Sequence, residues 1–200
     1  MGEFTTVDVI IPSYKPGKSF RILLERLEAQ THAPNHILII NTEESFWDNA
    51  LIEGISSAEV FHIKQNQFDH AGTRNMGAGF SRADVIVFMT QDAIPADEYL
   101  IESLLDGFRE PSIKAVYARQ LPAEDAGMIE QFTRGFNYPN RSMKKKEEDL
   151  KRMGIKAFFC SNVCAAYDHA YFKAMDGFRV PAIFNEDMVF AGSALRAGQA

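Results

Sequence analysis

The fold class that this sequence predicts is an α/β protein with a doubly wound, mainly parallel sheet flanked by helices. Three observations lead there. Short β-branched runs alternate with stretches whose apolar residues recur at helical spacing. The links between them are short, as sheet-helix-sheet crossovers require, and such crossovers are expected to be right-handed. The run Val85 to Thr90 is too short for a helix and, apart from Met89, is β-branched or aromatic. It reads as an interior strand buried on both faces of a parallel sheet.

Val7 to Pro12 is a β-branched run ended by proline, hence a first strand. Lys18 to Gln30 carries Phe20, Leu23, Leu24 and Leu27 on one helical stripe. Ile37 to Ile40 is a second strand, Phe46 to Ile55 a weaker helix, and Val60 to Ile63 a third strand. Gly72 to Arg82 reads as a helix in which Ala71, Gly77, Ala78 and Gly79 permit close approach to a neighbour. The strand from Val85 follows and delivers Gln91 and Asp92 at its carboxyl end, where open α/β sheets bind ligands. A turn or helix cap is the ordinary alternative for Asp92.

A helix over Tyr99 to Phe108, a strand over Ala115 to Arg119 and an amphipathic helix over Glu124 to Phe136 come next. Asn137 to Lys156 is densely charged and reads as a solvated helix or mobile loop, with a lid or binding segment as the alternative. Ala157 to Tyr167 is again strand-like, and the chain closes on a helix reaching Gly198 before any further strand, so a C-terminally truncated form is expected.

Composition narrows the function. Two hundred residues at 46% hydrophobic content suffice for one domain, which at this size buries about 70% of the unfolded chain's surface. Lys and Arg total 21 against 27 Asp and Glu, a formal charge of -6, so nucleic acid is not an expected partner. Cys160 and Cys164 lack the further ligands of a zinc site and read as core thiols. With no apolar run long enough to span a bilayer and no secretory leader, a reducing, cytoplasmic setting is expected.

Pro12 to Ser19 imitates the end of a phosphate-binding P-loop, with Gly17-Lys18-Ser19 opening a helix. Proline stands where the motif needs its first glycine, and neither Pro12 nor Pro16 has an N–H to offer a phosphate. No Gly-x-Gly-x-x-Gly follows the first strand, which disfavours hydride chemistry.

Another ordered set fits better: Val7-Asp-Val-Ile-Ile-Pro-Ser-Tyr14, Phe68-Asp-His-Ala-Gly-Thr-Arg-Asn75, Phe88-Met-Thr-Gln-Asp-Ala93 and Asn185-Glu-Asp187. In that order, over nearly the whole chain, these resemble the inverting family 2 glycosyltransferases of the GT-A fold, especially their rhamnosyltransferase-like members. The resemblance implies transfer of a sugar, rhamnose favoured, from a nucleotide diphosphate donor to an acceptor hydroxyl in cell-surface polysaccharide synthesis. It implies one domain over residues 1–200, nucleotide-binding to about residue 95 and acceptor-facing from about 96. The acceptor would be a carbohydrate or a lipid-linked glycan, with peripheral contact at the inner membrane face left open through the basic part of Asn137 to Lys156. Donor sugar and base, acceptor and oligomeric state are not specified.

By the same resemblance Pro12, Ser13 and Tyr14 line the base and ribose pocket, and the second strand should end in a carboxylate. Asn41 stands there instead, with Glu43 a replacement candidate. Asp69, Arg74 and Asn75 flank a helix start suited to diphosphate oxygens, although Arg74 could pair internally with Asp69 or Asp92. His70 is more simply a satisfied hydrogen bonder than a metal ligand. Thr90-Gln91-Asp92 aligns with the family's Asp-x-Asp element, Thr90 replacing its first aspartate. Asp92 would hold Mg²⁺ or Mn²⁺, which commonly use one or two protein carboxylates together with phosphate and water. By the resemblance Ser161, Asn162 and Glu186 would shape the acceptor side, with structural hydrogen bonding at a strand bend as the alternative for Ser161 and Asn162. Asp187, set among apolar neighbours that can raise a carboxylate pKa, would be the catalytic base, with a helix N-cap as the plain alternative.

Two other functions remain in play. Thr90 and Asn41 leave room for a non-catalytic nucleotide-binding domain of the same fold, and Lys18 for a nucleoside triphosphatase.

Overall fold

The computed structural model describes residues 4–123 and 126–200. Among these residues the strands are β1 (Val7–Tyr14), β2 (His36–Thr42), β3 (Ala58–Ile63), β4 (Val85–Met89), β5 (Ala115–Tyr117) and β6 (Cys164–Asp168). They form one sheet in the order β3-β2-β1-β4-β6-β5. β1 to β4 pair in parallel, while β6 runs antiparallel to both of its neighbours, β4 and β5. Strand order reverses between β1 and β4, and the crevice beyond their carboxyl ends is where such sheets take ligands. Because β6 is reversed, the residues just before Cys164 reach that same edge.

Side chains alternate along each strand. Val7, Val9 and Ile11 of β1 and Val85, Val87 and Met89 of β4 join one core layer. There helix α1 (Lys18–Glu28) buries the four positions its spacing marked, Phe20, Leu23, Leu24 and Leu27, and α3 (Leu100–Asp106) adds Ile101 and Leu104. Ile10, Ile86, Phe88 and Tyr167 point to the second layer, beneath α2 (His70–Phe80), α6 (His169–Ala174) and α7 (Glu186–Arg196). Each such buried side chain contributes about 1.5–3 kcal/mol. A methyl group on Gly77 would stand 2.4 Å from Ile10 Cγ2, so glycine lets α2 lie against β1. Gly79, read as another close-approach position, faces open space.

Several boundaries differ from expectation. Phe46 to Ile55 forms two single 3-10 turns, Glu44–Phe46 and Asn49–Leu51, rather than a helix. The Asp48 carboxylate caps the second turn through the Ala50 N–H, and Trp47 leaves the stripe to pack edge-on against Phe20. Helix α2 starts at His70, two residues before the expected Gly72, because Asp69 accepts the Gly72 N–H at 2.6 Å and sets the cap there. β6 begins only at Cys164, and residues Gly154–Phe158 are a 3-10 turn.

The helix expected over Glu124 to Phe136 is α4 (Met128–Asn137), and residues 124 and 125 of that expectation lie outside the described residues. Among the described residues its apolar stripe stays exposed. The charged segment after it holds a 3-10 turn, Glu147–Asp149, and α5 (Leu150–Met153). Within it Lys145 is not a solvated side chain. Its ammonium is half-buried, donates to the Phe159 carbonyl at 2.5 Å and lies 4.7 Å from the Tyr117 ring centroid.

Candidate active site

Where β4 ends and the chain enters β6, the structure opens a cavity of about 280 Å³. Thr90 comes from the end of β4, His70 and Arg74 from the first two turns of α2, Ser161 and Asn162 from the lead-in to β6, and Asn185, Glu186 and Asp187 from the start of α7. Ile183 and Phe184, both mostly exposed, form an apolar rim. Residues far apart in the chain meet here because the reversed β6 returns to the carboxyl edge of the parallel strands.

Asp187 is held at both carboxylate oxygens. Oδ2 accepts the Asn162 backbone N–H at 2.9 Å and Oδ1 accepts the Met188 N–H at 2.7 Å. A carboxylate oxygen can accept more than one hydrogen bond, so capacity remains toward the cavity. Burial pushes the Asp187 carboxyl above the ordinary aspartate value, and the neighbouring Glu186 charge adds to the rise. The two backbone N–H bonds and Arg74 oppose it. A carboxyl held up in this way is a better proton acceptor than a free aspartate.

Glu186, expected on the acceptor side, turns inward instead. It lies 3.2 Å from the Arg74 guanidinium, and its Oε1 accepts the Asn162 amide N–H at 3.1 Å. Asn162 in turn accepts the hydroxyl of Tyr167 at 2.8 Å. The pairing of Arg74 with Asp69 or Asp92 that the sequence allowed is therefore replaced by a buried pair with Glu186, and Arg74 also donates to the His70 carbonyl at 3.0 Å. Burial draws the Arg74 pKa down, an effect that Glu186 offsets. Two buried polar atoms at this cavity, Arg74 Nε and Thr90 Oγ1, have no partner among the described residues. Asp69 is consumed in holding backbone, taking the Gly72 N–H on one oxygen and the Ala182 N–H at 3.0 Å on the other. Asn75 likewise clamps Phe178, donating to its carbonyl at 2.7 Å and accepting its N–H at 2.9 Å. His70 stacks edge-on with Phe68 and flat toward Phe184.

A shallower, more exposed face adjoins the cavity at the ends of β1 and β4. Gln91 is paired with the Tyr14 backbone in both directions, accepting its N–H at 2.8 Å and donating to its carbonyl at 3.2 Å. The exposed rings of Tyr14 and Phe46 meet edge-on, with the Lys15 ammonium 4.4 Å from the Phe46 centroid. Pro12 is half-buried at the end of this strand. Ser13 and Asn41 are bonded to each other at 3.2 Å and fully inside, so they shape the face from beneath rather than line it. Asn41 Nδ2 also donates to the Glu43 carbonyl, while the Glu43 carboxylate accepts the Gln65 N–H at 2.6 Å.

Asp92 is exposed, two residues beyond Thr90. Among the described residues no group of three or more His, Cys, Asp or Glu side chains could hold a metal by itself. A single exposed carboxylate two residues beyond Thr90 fits a hard cation that takes its other ligands from phosphate and water. Thiol chemistry does not fit: burial pushes Cys160 and Cys164 up to about 12.

Sequence reasoning missed Tyr167, Phe46 and Lys15. A tyrosine inside an otherwise apolar strand was a legible sign of a buried hydrogen bond. The aromatic contact of Tyr14 with Phe46 joins the end of β1 to the 3-10 turn after β2 and left no local signal.

The family model described as glycosyl transferase family 2 matches residues 8–175, a stretch ending before Glu186 and Asp187. The O-antigen chain rhamnosyltransferase RfbN of Salmonella typhimurium is 36% identical over 193 residues, covering 96% of this chain and 62% of the relative. WbaN of Salmonella anatum, also an O-antigen chain rhamnosyltransferase, is 34% identical over 200 residues, covering 99% and 62%. The chain thus spans less than two thirds of the length of these relatives. Among solved structures, the mannosyltransferase PcManGT of Pyrobaculum calidifontis, determined with GDP-Man and Mn²⁺, superposes with a TM-score of 0.69 at 14% identity, covering 96% of this chain and 52% of that one. TarS of S. aureus superposes with a TM-score of 0.70 at 16% identity, covering 95% and 55%. The fold is that of the GT-A glycosyltransferases.

Proposed function

The chain belongs to glycosyl transferase family 2, and on that premise we propose that it is the catalytic domain of an inverting, metal-dependent glycosyltransferase moving rhamnose from a nucleotide diphosphate to an acceptor hydroxyl. The observation that carries this reading is the placement of Asp187, held by two backbone N–H groups at a cavity that Thr90 of the β4 end also lines. The named activity of RfbN and WbaN favours rhamnose and an O-antigen-type acceptor, carried on a carbohydrate or lipid-linked glycan. No described helix is long and apolar enough to cross a membrane. The setting proposed, a cytoplasmic enzyme at the inner membrane face, rests instead on the named activity of those relatives.

The division of labour follows the geometry. Tyr14, Phe46 and Lys15 offer an aromatic and cationic face for the nucleotide, with Gln91 fixing the Tyr14 backbone. Asp92 is the residue that would hold Mg²⁺ or Mn²⁺, and a bound cation would neutralise charge growing on the departing diphosphate. The Thr90 hydroxyl and Arg74 Nε are buried polar atoms of the cavity wall without a partner among the described residues. Asp187 takes the acceptor hydroxyl proton as that oxygen attacks the anomeric carbon on the side opposite the leaving group. One displacement inverts the centre, so one base suffices and no covalent nucleophile is required. Glu186, paired with Arg74, is removed from competition for that proton.

Asp187→Asn keeps size and most hydrogen bonding but removes the proton acceptor. In a longer form of the protein shown to be active, donor binding should survive while transfer falls by about 10²-fold to 10⁴-fold. Transfer within a few-fold of the parent would refute the assignment. The competing reading, a nucleotide-binding domain without turnover, predicts donor binding with no transfer in the parent itself.

A further inference from the structure

Helix α4 (Met128–Asn137) buries none of its side chains: Met128 is 87% exposed, Ile129 85%, Phe132 73% and Phe136 59%. Residues at 128, 132 and 136 are spaced by four, so they share one stripe of the helix. The Phe132 and Phe136 rings stack at 6.0 Å and 14°. Leaving such a stripe in water is costly, and contiguous apolar exposure of this kind marks a binding surface. The adjoining chain carries the complementary feature. Residues 134–156 hold eight Lys or Arg against three Asp or Glu, in a protein whose formal charge is -6. The two features are joined in space, because the Lys156 ammonium lies 3.0 Å from the Phe136 ring centroid and the neighbouring Ile155 is itself 72% exposed.

We propose that α4 and the basic segment after it form a peripheral docking surface for an anionic lipid bilayer. An amphipathic helix with an apolar stripe and flanking cations is the form that lies in a membrane interface, burying the stripe among acyl chains and placing the cations at the headgroups. Arg141, Lys146 and Lys151 are exposed for that role, whereas Lys144 and Arg152 are taken by Glu110 and Asp149. A second copy is a poorer occupant. A two-fold contact through this face would bring the basic segment of one copy against the same segment of the other. The surface is also tied to the cavity: Arg134 of α4 bonds Gln120, and Gln120 donates to Ser161 at 3.0 Å and bonds Tyr138. Docked α4 therefore sets the cavity mouth beside the bilayer, where the reacting end of a lipid-linked acceptor resides. That consequence rests on the function proposed above; the docking itself does not.

The test is co-sedimentation of this chain, and of a longer form of the protein, with vesicles of phosphatidylcholine alone and of phosphatidylcholine mixed with phosphatidylglycerol. Binding to the mixed vesicles is expected at low ionic strength, weakening as salt shortens the screening length. Phe132→Ser with Phe136→Ser should lower partitioning by at least about 10-fold. Lys146→Glu or Lys151→Glu should lower it by at least about 5-fold, the loss expected from one interfacial cation. All these side chains are exposed, so circular dichroism should stay at the parent value. Nucleotide-sugar binding, measured alongside, should be unchanged in every variant, so that a failed docking proposal is read separately from a failed functional one. No binding to the mixed vesicles, or equal binding by the phenylalanine variant, would overturn the proposal. So would concentration-dependent self-association that the phenylalanine variant abolishes, which would assign the face to a second copy.

Discussion

Replacing Arg74 by methionine should destabilise this protein strongly, and the size of the loss follows from where Glu186 sits. The two side chains are 6% and 7% exposed and their charged groups are 3.2 Å apart. At an effective dielectric of about 20, charges at that separation attract by about 5 kcal/mol, most of which offsets the cost of taking both out of water. Without Arg74, Glu186 keeps its desolvation cost and only the Asn162 amide to meet it. Breaking a buried pair from one side costs about 3–5 kcal/mol. For a chain of this length each kcal/mol moves the melting temperature by about 2–4 °C, so Arg74→Met should melt at least about 6 °C below the parent. Glu186→Gln should also destabilise, since it leaves a buried guanidinium. The double variant should recover at least about 2 kcal/mol relative to the sum of the single losses, because it leaves no lone charge. Urea unfolding of all four proteins gives the coupling directly. Single losses below about 1 kcal/mol that simply add would refute the buried-pair account.

Two further outcomes are expected. Asp92→Ala should abolish the part of donor binding that Mg²⁺ or Mn²⁺ stimulates, measured by thermal shift with and without the ion; stimulation of parental strength would remove Asp92 from the metal role. Burial lowers the Lys145 pKa to about 8 from an ordinary 10.5. Between those values the unfolded chain therefore binds more protons than the folded one. Stability should accordingly rise with pH from about 8 to about 10.5, with the favourable hydrogen bond to Phe159 only partly masking the cost of the charge below 8. Lys145→Met should flatten that slope, and an unchanged slope would show that the ammonium is effectively solvated.

Much of the frame was legible in the chain alone. β1, β2 and β4 are contiguous β-branched runs, and α1 carries four apolar residues on one stripe, so local pattern and tertiary burial agree at those elements. Their strand ends located Tyr14, Gln91 and Asp92, and the order of the motifs pointed to the family. The reversed β6 was not legible, because direction is set by which strand edge is open when Cys164–Asp168 arrives. Nor was the partner of Arg74, since Glu186 is distant in sequence and meets it only through the packing of α7 on α2's side of the sheet. Helix α4 shows the division most plainly. Periodicity specified an apolar stripe at Met128, Phe132 and Phe136, but only the tertiary structure decided that no core element among the described residues covers it. A repeat along one helix encodes where apolar surface lies, whereas what buries that surface depends on contacts between segments that the repeat does not contain.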